Sequence, residues 1–231
     1  RGVAHTVAGP QPKQATHETA VYLNLARAVS IPENVIAETQ IEFSAADHDR
    51  TRITELLLEE IGWQSGQPLV LIHPGGGENP QRRYEDKRWP MERFVLVINR
   101  LMRNELTVLM VGTQAERPLI DAINGMVAGK THNLAGRISL GELGALSELA
   151  DLFIGNDSAP MHVAAASGCP TVALFGPTDP GVSAPFGSRK QIHVLWEPPK
   201  TGEPFSWNGR LLVDTVYNTC QQLLQRSPAQ I

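Results

Sequence analysis

Leu69-Val70-Leu71-Ile72-His73-Pro74-Gly75-Gly76-Gly77 is a short aliphatic run that breaks at once into a polar, glycine-rich loop. A run of this length, apolar at every position, is a strand buried on both faces. The same grammar recurs downstream. Thr107-Val108-Leu109-Met110-Val111 leads into Gly112-Thr113-Gln114, Leu152-Phe153-Ile154 into Gly155-Asn156-Asp157-Ser158, and Thr171-Val172-Ala173-Leu174-Phe175 into Gly176-Pro177-Thr178-Asp179-Pro180. A last run is Ile192-His193-Val194-Leu195. Amphipathic segments of helical length fall between the runs, at about 91–102, 115–127, 140–149 and 160–167, with a final helix at about 214–225. Alternation of this kind predicts an α/β fold: a parallel sheet covered by helices on both faces.

Upstream of this region the texture differs. Residues 1–18 are polar and punctuated by Gly and Pro, and read as a loop. Helices are expected over Thr19–Val29 and Ala46–Ile61, the second from the stripe Ile53, Leu56, Leu57, Leu58 and Ile61, with a short strand at Ile41-Glu42-Phe43. The change of texture after Gly62–Gln67 places a boundary there, giving residues 1–66 and 67–231 as two units. Residues 198–209 read as a long loop.

Composition narrows the function classes. The 231 residues can form one large domain or two small ones, and 42% hydrophobic against 19% charged residues excludes a disordered or collagen-like chain. A net charge of -4 leaves no global positive potential for nucleic acid, so no nucleic-acid partner is expected. Cys169 and Cys220 are too few for a disulfide framework and read as reduced, buried thiols. No apolar run is long enough to span a membrane and no basic-then-apolar leader stands at the N-terminus, so a cytoplasmic location is expected. The seven histidines show no metal-ligand spacing, and no metal is expected. G-x-G-x-x-G, G-x-x-x-x-G-K-[ST] and G-x-S-x-G are all absent.

In an open α/β sheet ligands sit outside the carboxyl ends of the strands, so the loops after the strands carry the chemistry. One such loop is an ordinary tight turn. Four of them, glycine-bearing and polar on one edge, point to a phosphate or nucleotide pocket, because glycine lets backbone N–H groups approach a ligand. The sharpest is Gly155-Asn156-Asp157-Ser158-Ala159-Pro160-Met161-His162. Asp157 or Ser158 can cap a helix whose first residue lies near Pro160. The N–H groups of Ser158, Ala159 and Met161 would then face a diphosphate, helped by the helix dipole. An ordinary capped helix fits the octet equally well. The second constellation, Arg82-Arg83-Tyr84-Glu85-Asp86-Lys87-Arg88-Trp89-Pro90, is either a solvated charge run or a loop that swings Lys87 over the pocket to neutralise a leaving diphosphate. Trp63, Trp89, Trp196 and Trp207 read as packing residues.

These residues carry a resemblance. HPGGG at 73–77, KRWP at 87–90, GTQAE at 112–116, NLAG at 133–136, SL-x-EL at 139–143, NDSAPMH at 156–162 and LFGPTDP at 174–180 resemble, in order, the C-terminal half of family 9 glycosyltransferases, best known as ADP-heptose:lipopolysaccharide heptosyltransferases. The resemblance is dense over about 67–196 and loose over 1–66. It implies a GT-B architecture, with residues 67–231 as the C-terminal nucleotide-sugar-binding domain, a doubly wound Rossmann-like parallel sheet. Residues 1–66 would be the end of the N-terminal acceptor-side domain and the linker. The implied activity is an inverting, metal-independent transfer of a heptose or related sugar from an ADP-sugar to a lipopolysaccharide-core or similar lipid-linked saccharide. No cofactor besides the donor substrate is implied.

On that pattern Lys87 contacts the donor phosphate or sugar and stabilises the leaving group, and Glu116 holds the ribose hydroxyls. The backbone near Ile138 meets the adenine, and Asp157 bonds the sugar hydroxyls. Ser158 and Ala159 present backbone donors to the diphosphate, His162 sits behind them, and Gly75 and Gly76 line the first loop. The family usually has glycine where this chain has Ala159, and a methyl there narrows the approach to phosphate. The catalytic-base aspartate belongs to the N-terminal domain and is expected outside this chain. Peripheral contact with the inner face of the cytoplasmic membrane is a family expectation. Two other readings stay open: a non-catalytic nucleotide-sugar-binding module, and another GT-B-like enzyme such as a nucleotide-sugar epimerase.

Overall fold

The computed structural model describes residues 16–76, 85–186 and 191–225. Gly77, Arg82, Arg83, Tyr84 and most of the expected opening loop lie outside these residues. The five aliphatic runs form strands β1 (Leu69–His73), β2 (Thr107–Met110), β4 (Leu152–Asn156), β5 (Thr171–Phe175) and β6 (Ile192–Trp196). A two-residue strand not anticipated from the sequence, β3 (His132–Asn133), completes the sheet. Its order is β3-β2-β1-β4-β5-β6 and every pairing is parallel. This is the Rossmann order, and the chain reverses direction across the sheet between β1 and β4.

Nine α-helices lie among the described residues: α1 (Glu18–Ala28), α2 (Glu33–Glu38), α3 (Asp47–Glu55), α4 (Met91–Leu101), α5 (Arg117–Met126), α6 (Leu140–Leu149), α7 (Ala159–Ala166), α8 (Pro180–Ser183) and α9 (Val213–Leu224). Short helices α2 and α8 have no counterpart in the sequence-based reading. The helix expected from residue 115 opens as a 3-10 turn, Gln114–Glu116, before α5. No strand forms at Ile41-Glu42-Phe43. Phe43 N–H instead donates to Ala166 O at 2.9 Å, and the ring lies against Gly144, where a Cβ would overlap it.

The two faces of the sheet explain why the strands are apolar throughout. Val70, Ile72, Val108, Met110 and Ile154 point to one side and pack with Phe94, Ile98, Ile120 and Val216 of α4, α5 and α9. Leu69, Leu71, Leu109 and Phe153 point to the other and pack with Ile53, Leu146 and Ala164 of α3, α6 and α7. Successive residues of one strand thus enter opposite cores. Helix α3 runs on into a π-type turn, Leu56–Ile61, ended by Gly62 at φ 75°. Ile53, Leu56 and Leu57 are fully buried beneath β1, and Arg50 pairs with Glu148 of α6 at 2.7 Å. The helix on the N-terminal side of the 66/67 boundary therefore shares the core of the sheet. No described helix is long and apolar enough to cross a membrane.

Candidate functional site

Because all strands are parallel, their carboxyl ends share one edge, and β1 and β4 meet there at the switch point. The register pairs His73 with Gly155. That places the 73–76 loop beside the 156–158 turn, and a small set of polar side chains is built around the junction.

Asn156, the last residue of β4, is fully buried and organises the backbone. Its amide donates to the carbonyls of Pro74 and Gly75, both at 2.9 Å, and its Oδ1 accepts from Trp89 N–H at 3.0 Å. The indole N–H of Trp89 in turn donates to Leu211 O at 3.0 Å. One side chain thus fixes the loop after β1 and the Lys87–Pro90 segment at once.

Lys87 ends a 3-10 turn, Glu85–Lys87. Its Nζ donates to Asp157 Oδ2 at 2.7 Å, and the Thr178 hydroxyl donates to the same oxygen at 2.7 Å. Loops after β1, β4 and β5 therefore converge on one carboxylate. Among the described residues, nothing hydrogen-bonds Asp157 Oδ1. Ala159 opens α7 with Pro160 second, one residue earlier than expected. Ser158 occupies the N-cap position, but its hydroxyl does not cap the helix. Met161 N–H, expected to face a ligand, donates to Ser158 O at 3.1 Å instead. The N–H groups of Ser158 and Ala159 have no partner among the described residues. Ala159 is exposed at this edge.

The Ser158 hydroxyl turns inward to His73, whose Nδ1 lies 3.0 Å away, and also lies 3.0 Å from Asn156 O. The Nε2 of His73 is 3.2 Å from Glu116 Oε2. Glu116, only 3% exposed, also accepts from Thr113 N–H at 2.9 Å and from the Thr113 hydroxyl at 3.2 Å. Burial pushes its carboxyl up. The hydrogen bond and charge of His73, with the two Thr113 donors, outweigh this and draw it down to about 2. Gly75 is required here by space: a Cβ would overlap the carboxylate and come within 2.9 Å of His73 Nε2.

Ile138 lies half-buried between β3 and α6. Gly136, at φ +71°, lets the preceding turn fold back so that its N–H donates to Gly112 O at 2.9 Å. The Ile138 segment is thereby held beside the loop that carries Glu116. His162 lies in the first turns of α7, partly buried. Burial pushes its imidazole below the usual range, opposed by Asp157 and by Glu18 of α1. Helix α1 docks through His17, whose Nε2 is 2.9 Å from Ala184 O.

Lys87, Asp157, Ser158 and Ala159 therefore converge at the switch point, with His162 behind them, and Glu116 lies beside Gly75. The partly buried Gly76 follows in the same loop. Three residues of this site received no role from the sequence: His73, Asn156 and Thr178. His73 and Asn156 end strands β1 and β4 and Thr178 lies in the loop after β5; the motifs HPGGG, NDSAPMH and LFGPTDP contain them but gave them no role. Cys169 and Cys220 are buried, which pushes both thiols up and leaves them unreactive.

A family model described as glycosyltransferase family 9 (heptosyltransferase) matches residues 10–204. Lipopolysaccharide heptosyltransferase 3 of Escherichia coli is 34% identical over 137 residues, covering 55% of this chain and 36% of that protein. Lipopolysaccharide heptosyltransferase 2 of Salmonella typhimurium is 28% identical over 141 residues, covering 59% of this chain and 39% of that protein. The matched region is thus little more than a third of either relative. Among solved structures, a family 9 glycosyl transferase from Veillonella parvula superposes with a TM-score of 0.79 at 22% identity, covering 94% of this chain and 63% of that one. E. coli ADP-heptose LPS heptosyltransferase II superposes with a TM-score of 0.75 at 22% identity, covering 94% and 65%. The fold is that of these GT-B-type proteins.

Proposed function

We propose that this chain, which belongs to glycosyltransferase family 9, supplies the donor-binding part of a glycosyltransferase that moves a heptose or related sugar from an ADP-sugar to a lipopolysaccharide-core or similar lipid-linked saccharide. Residues 1–66 are read as the end of the acceptor-side domain and its connection, of which α3 packs against the donor sheet. The observation that carries the reading is the Lys87–Asp157 pair above the start of α7, at the switch point of a Rossmann sheet.

In this mechanism an acceptor hydroxyl, deprotonated by a carboxylate outside the chain, attacks the anomeric carbon from the face opposite the nucleotide. The bond from that carbon to the diphosphate oxygen breaks, its electron pair leaves with ADP, and the configuration inverts. The growing negative charge falls between the Lys87 ammonium and the N–H groups of Ser158 and Ala159, aided by the positive end of α7. No metal is assigned a part. Asp157 Oδ1 is left for a sugar hydroxyl while Oδ2 holds Lys87 and Thr178. Glu116 is assigned the ribose hydroxyls, the backbone at Ile138 the adenine, and His162 support of the α7 turn. A lipid-linked acceptor brings the reaction to the inner face of the cytoplasmic membrane.

Calorimetric titration of the chain with ADP, UDP, GDP and ADP-heptose, repeated with Asp157→Ala, tests the reading. The expected result is preference for ADP and ADP-heptose, with the sugar's added affinity lost in the variant. Failure of any nucleotide to bind, both to the folded chain and to a protein carrying both domains, overturns it.

A further inference from the structure

His73 joins two parts of the site that the chain delivers separately. It sits at the end of β1, 1% exposed. One ring nitrogen meets Glu116, 43 residues onward, at 3.2 Å, and the other meets Ser158, 85 residues onward, at 3.0 Å. Neither contact is a local turn or cap of His73 itself. Both partners carry donor-site roles in the reading above, on which this inference rests: Glu116 toward the ribose, and Ser158 toward the diphosphate. The ring itself is covered by Gly75 and by the sheet, so it acts on a ligand only through its partners.

The proton on Nε2 follows from the partners' chemistry. An ionised carboxylate only accepts, so a hydrogen bond to Glu116 requires an N–H on Nε2. Nδ1 faces the Ser158 hydroxyl, which also lies within donating distance of Asn156 O: its single proton goes either to Nδ1 or to that carbonyl, and in the second case the hydroxyl accepts from an N–H on Nδ1. The carboxylate has little freedom otherwise: Thr113 holds Oε2 from one side, and the Gly75 backbone lies against Oε1. Without the ring, Glu116 keeps the Thr113 contacts but loses the donor that turns its carboxylate plane toward the β1 loop.

We propose that His73 is a positioning residue of the donor site: its Nε2–H orients Glu116 for the ribose while its Nδ1 anchors the Ser158 hydroxyl, so that one imidazole sets the nucleoside and diphosphate subsites in register. Two ends of the ligand then meet groups whose placement is common, and the pocket is preorganised before the donor arrives.

A double-variant cycle read by calorimetric titration with ADP tests this. His73→Asn shortens the side chain and removes the donor to Glu116; Glu116→Gln removes the acceptor's charge. Each is expected to weaken ADP binding about tenfold, the loss of one hydrogen bond to a charged group. The double variant should be no weaker than the weaker single one, because His73 acts on the nucleoside only through the Glu116 carboxylate. His73→Gln, whose amide reaches the position of Nε2, should return ADP affinity to within about threefold of the unmodified chain. A merely structural histidine predicts additive losses and no rescue. Additive losses, absence of rescue, or unchanged affinity in His73→Asn overturns the inference while leaving ADP binding by the unmodified chain intact. If the unmodified chain and its two-domain counterpart do not bind ADP, the donor-site reading falls first. Nitrogen-15 NMR of the unmodified protein needs no variant to fold: a His73 ring protonated on Nδ1 alone overturns the inference as well.

Discussion

Lys87 and Asp157, 70 residues apart in the chain, form an ion pair of 2.7 Å at the junction of β1 and β4, with the Asp157 side chain 6% exposed and the Lys87 side chain 16%. The pair joins a cation suited to a diphosphate with a carboxylate suited to sugar hydroxyls. A pair this covered is costly to break from one side, because the remaining charge is left without its partner. Thr178 keeps one hydrogen bond to Asp157 whatever Lys87 does. The site can therefore turn the ammonium toward a second anion without stranding the carboxylate.

Lys87→Ala is expected to lower turnover about a hundredfold in a protein carrying both domains, equivalent to about 3 kcal/mol of transition-state stabilisation. Steady-state transfer from ADP-heptose to an acceptor measures it. Near-normal turnover would remove Lys87 from the leaving-group role.

Glu116 ties stability to acid pH. Its folded carboxyl is drawn from 4.5 to about 2, so its ionised form favours the folded state above about pH 4.5, and that contribution fades as pH falls from there toward about 2. Its size is on the order of 3 kcal/mol. Glu116→Gln should lower stability at neutral pH and flatten the decline across that window. Urea unfolding between pH 2 and 7, as a working range of the order where carboxylates titrate, shows either parallel or converging curves. Parallel curves mean the carboxylate is not held as described.

Gly75→Ala places a methyl where Glu116 Oε1 now lies. The carboxylate must move, and a forced shift of this kind costs about 1–3 kcal/mol. Thermal unfolding should register the loss, and ADP affinity should fall with it, since the residue displaced is the one assigned to the ribose. An unchanged melting temperature would mean that the loop relaxes freely.

Asn156→Asp keeps the acceptor for Trp89 N–H but sets a carboxylate against the carbonyls of Pro74 and Gly75. Two buried donors are lost and two acceptors are left facing a charge. The expected destabilisation is about 3 kcal/mol or more. Asn156→Ala should cost less, because it strands the two carbonyls and the Trp89 N–H without adding a buried charge. Chemical denaturation of the two variants side by side checks the order, and equal stabilities would contradict it.

The strands were legible in the sequence because double-sided burial is a local demand. Leu69 to Ile72 must be apolar at each position if alternate residues enter different cores, and the same holds for the runs at 107, 152 and 171. The glycine loops that follow them announced the edge where a ligand sits. Helix α6 was legible to the residue, since Ser139 and Glu142 cap it reciprocally within one turn. What the chain's own order could not disclose is which loops meet. The two-residue β3 leaves almost no local pattern, and Phe43 lies against Gly144 through a contact that no period records. Lys87 with Asp157, Asn156 with Pro74 and Trp89, and His73 between Glu116 and Ser158 exist because parallel crossovers set β1 beside β4. Sequence determined the elements and the edge, whose signals are repeated within a few residues. Tertiary structure alone decided the polar network, because each of those hydrogen bonds joins segments tens of residues apart whose encounter is set by strand order.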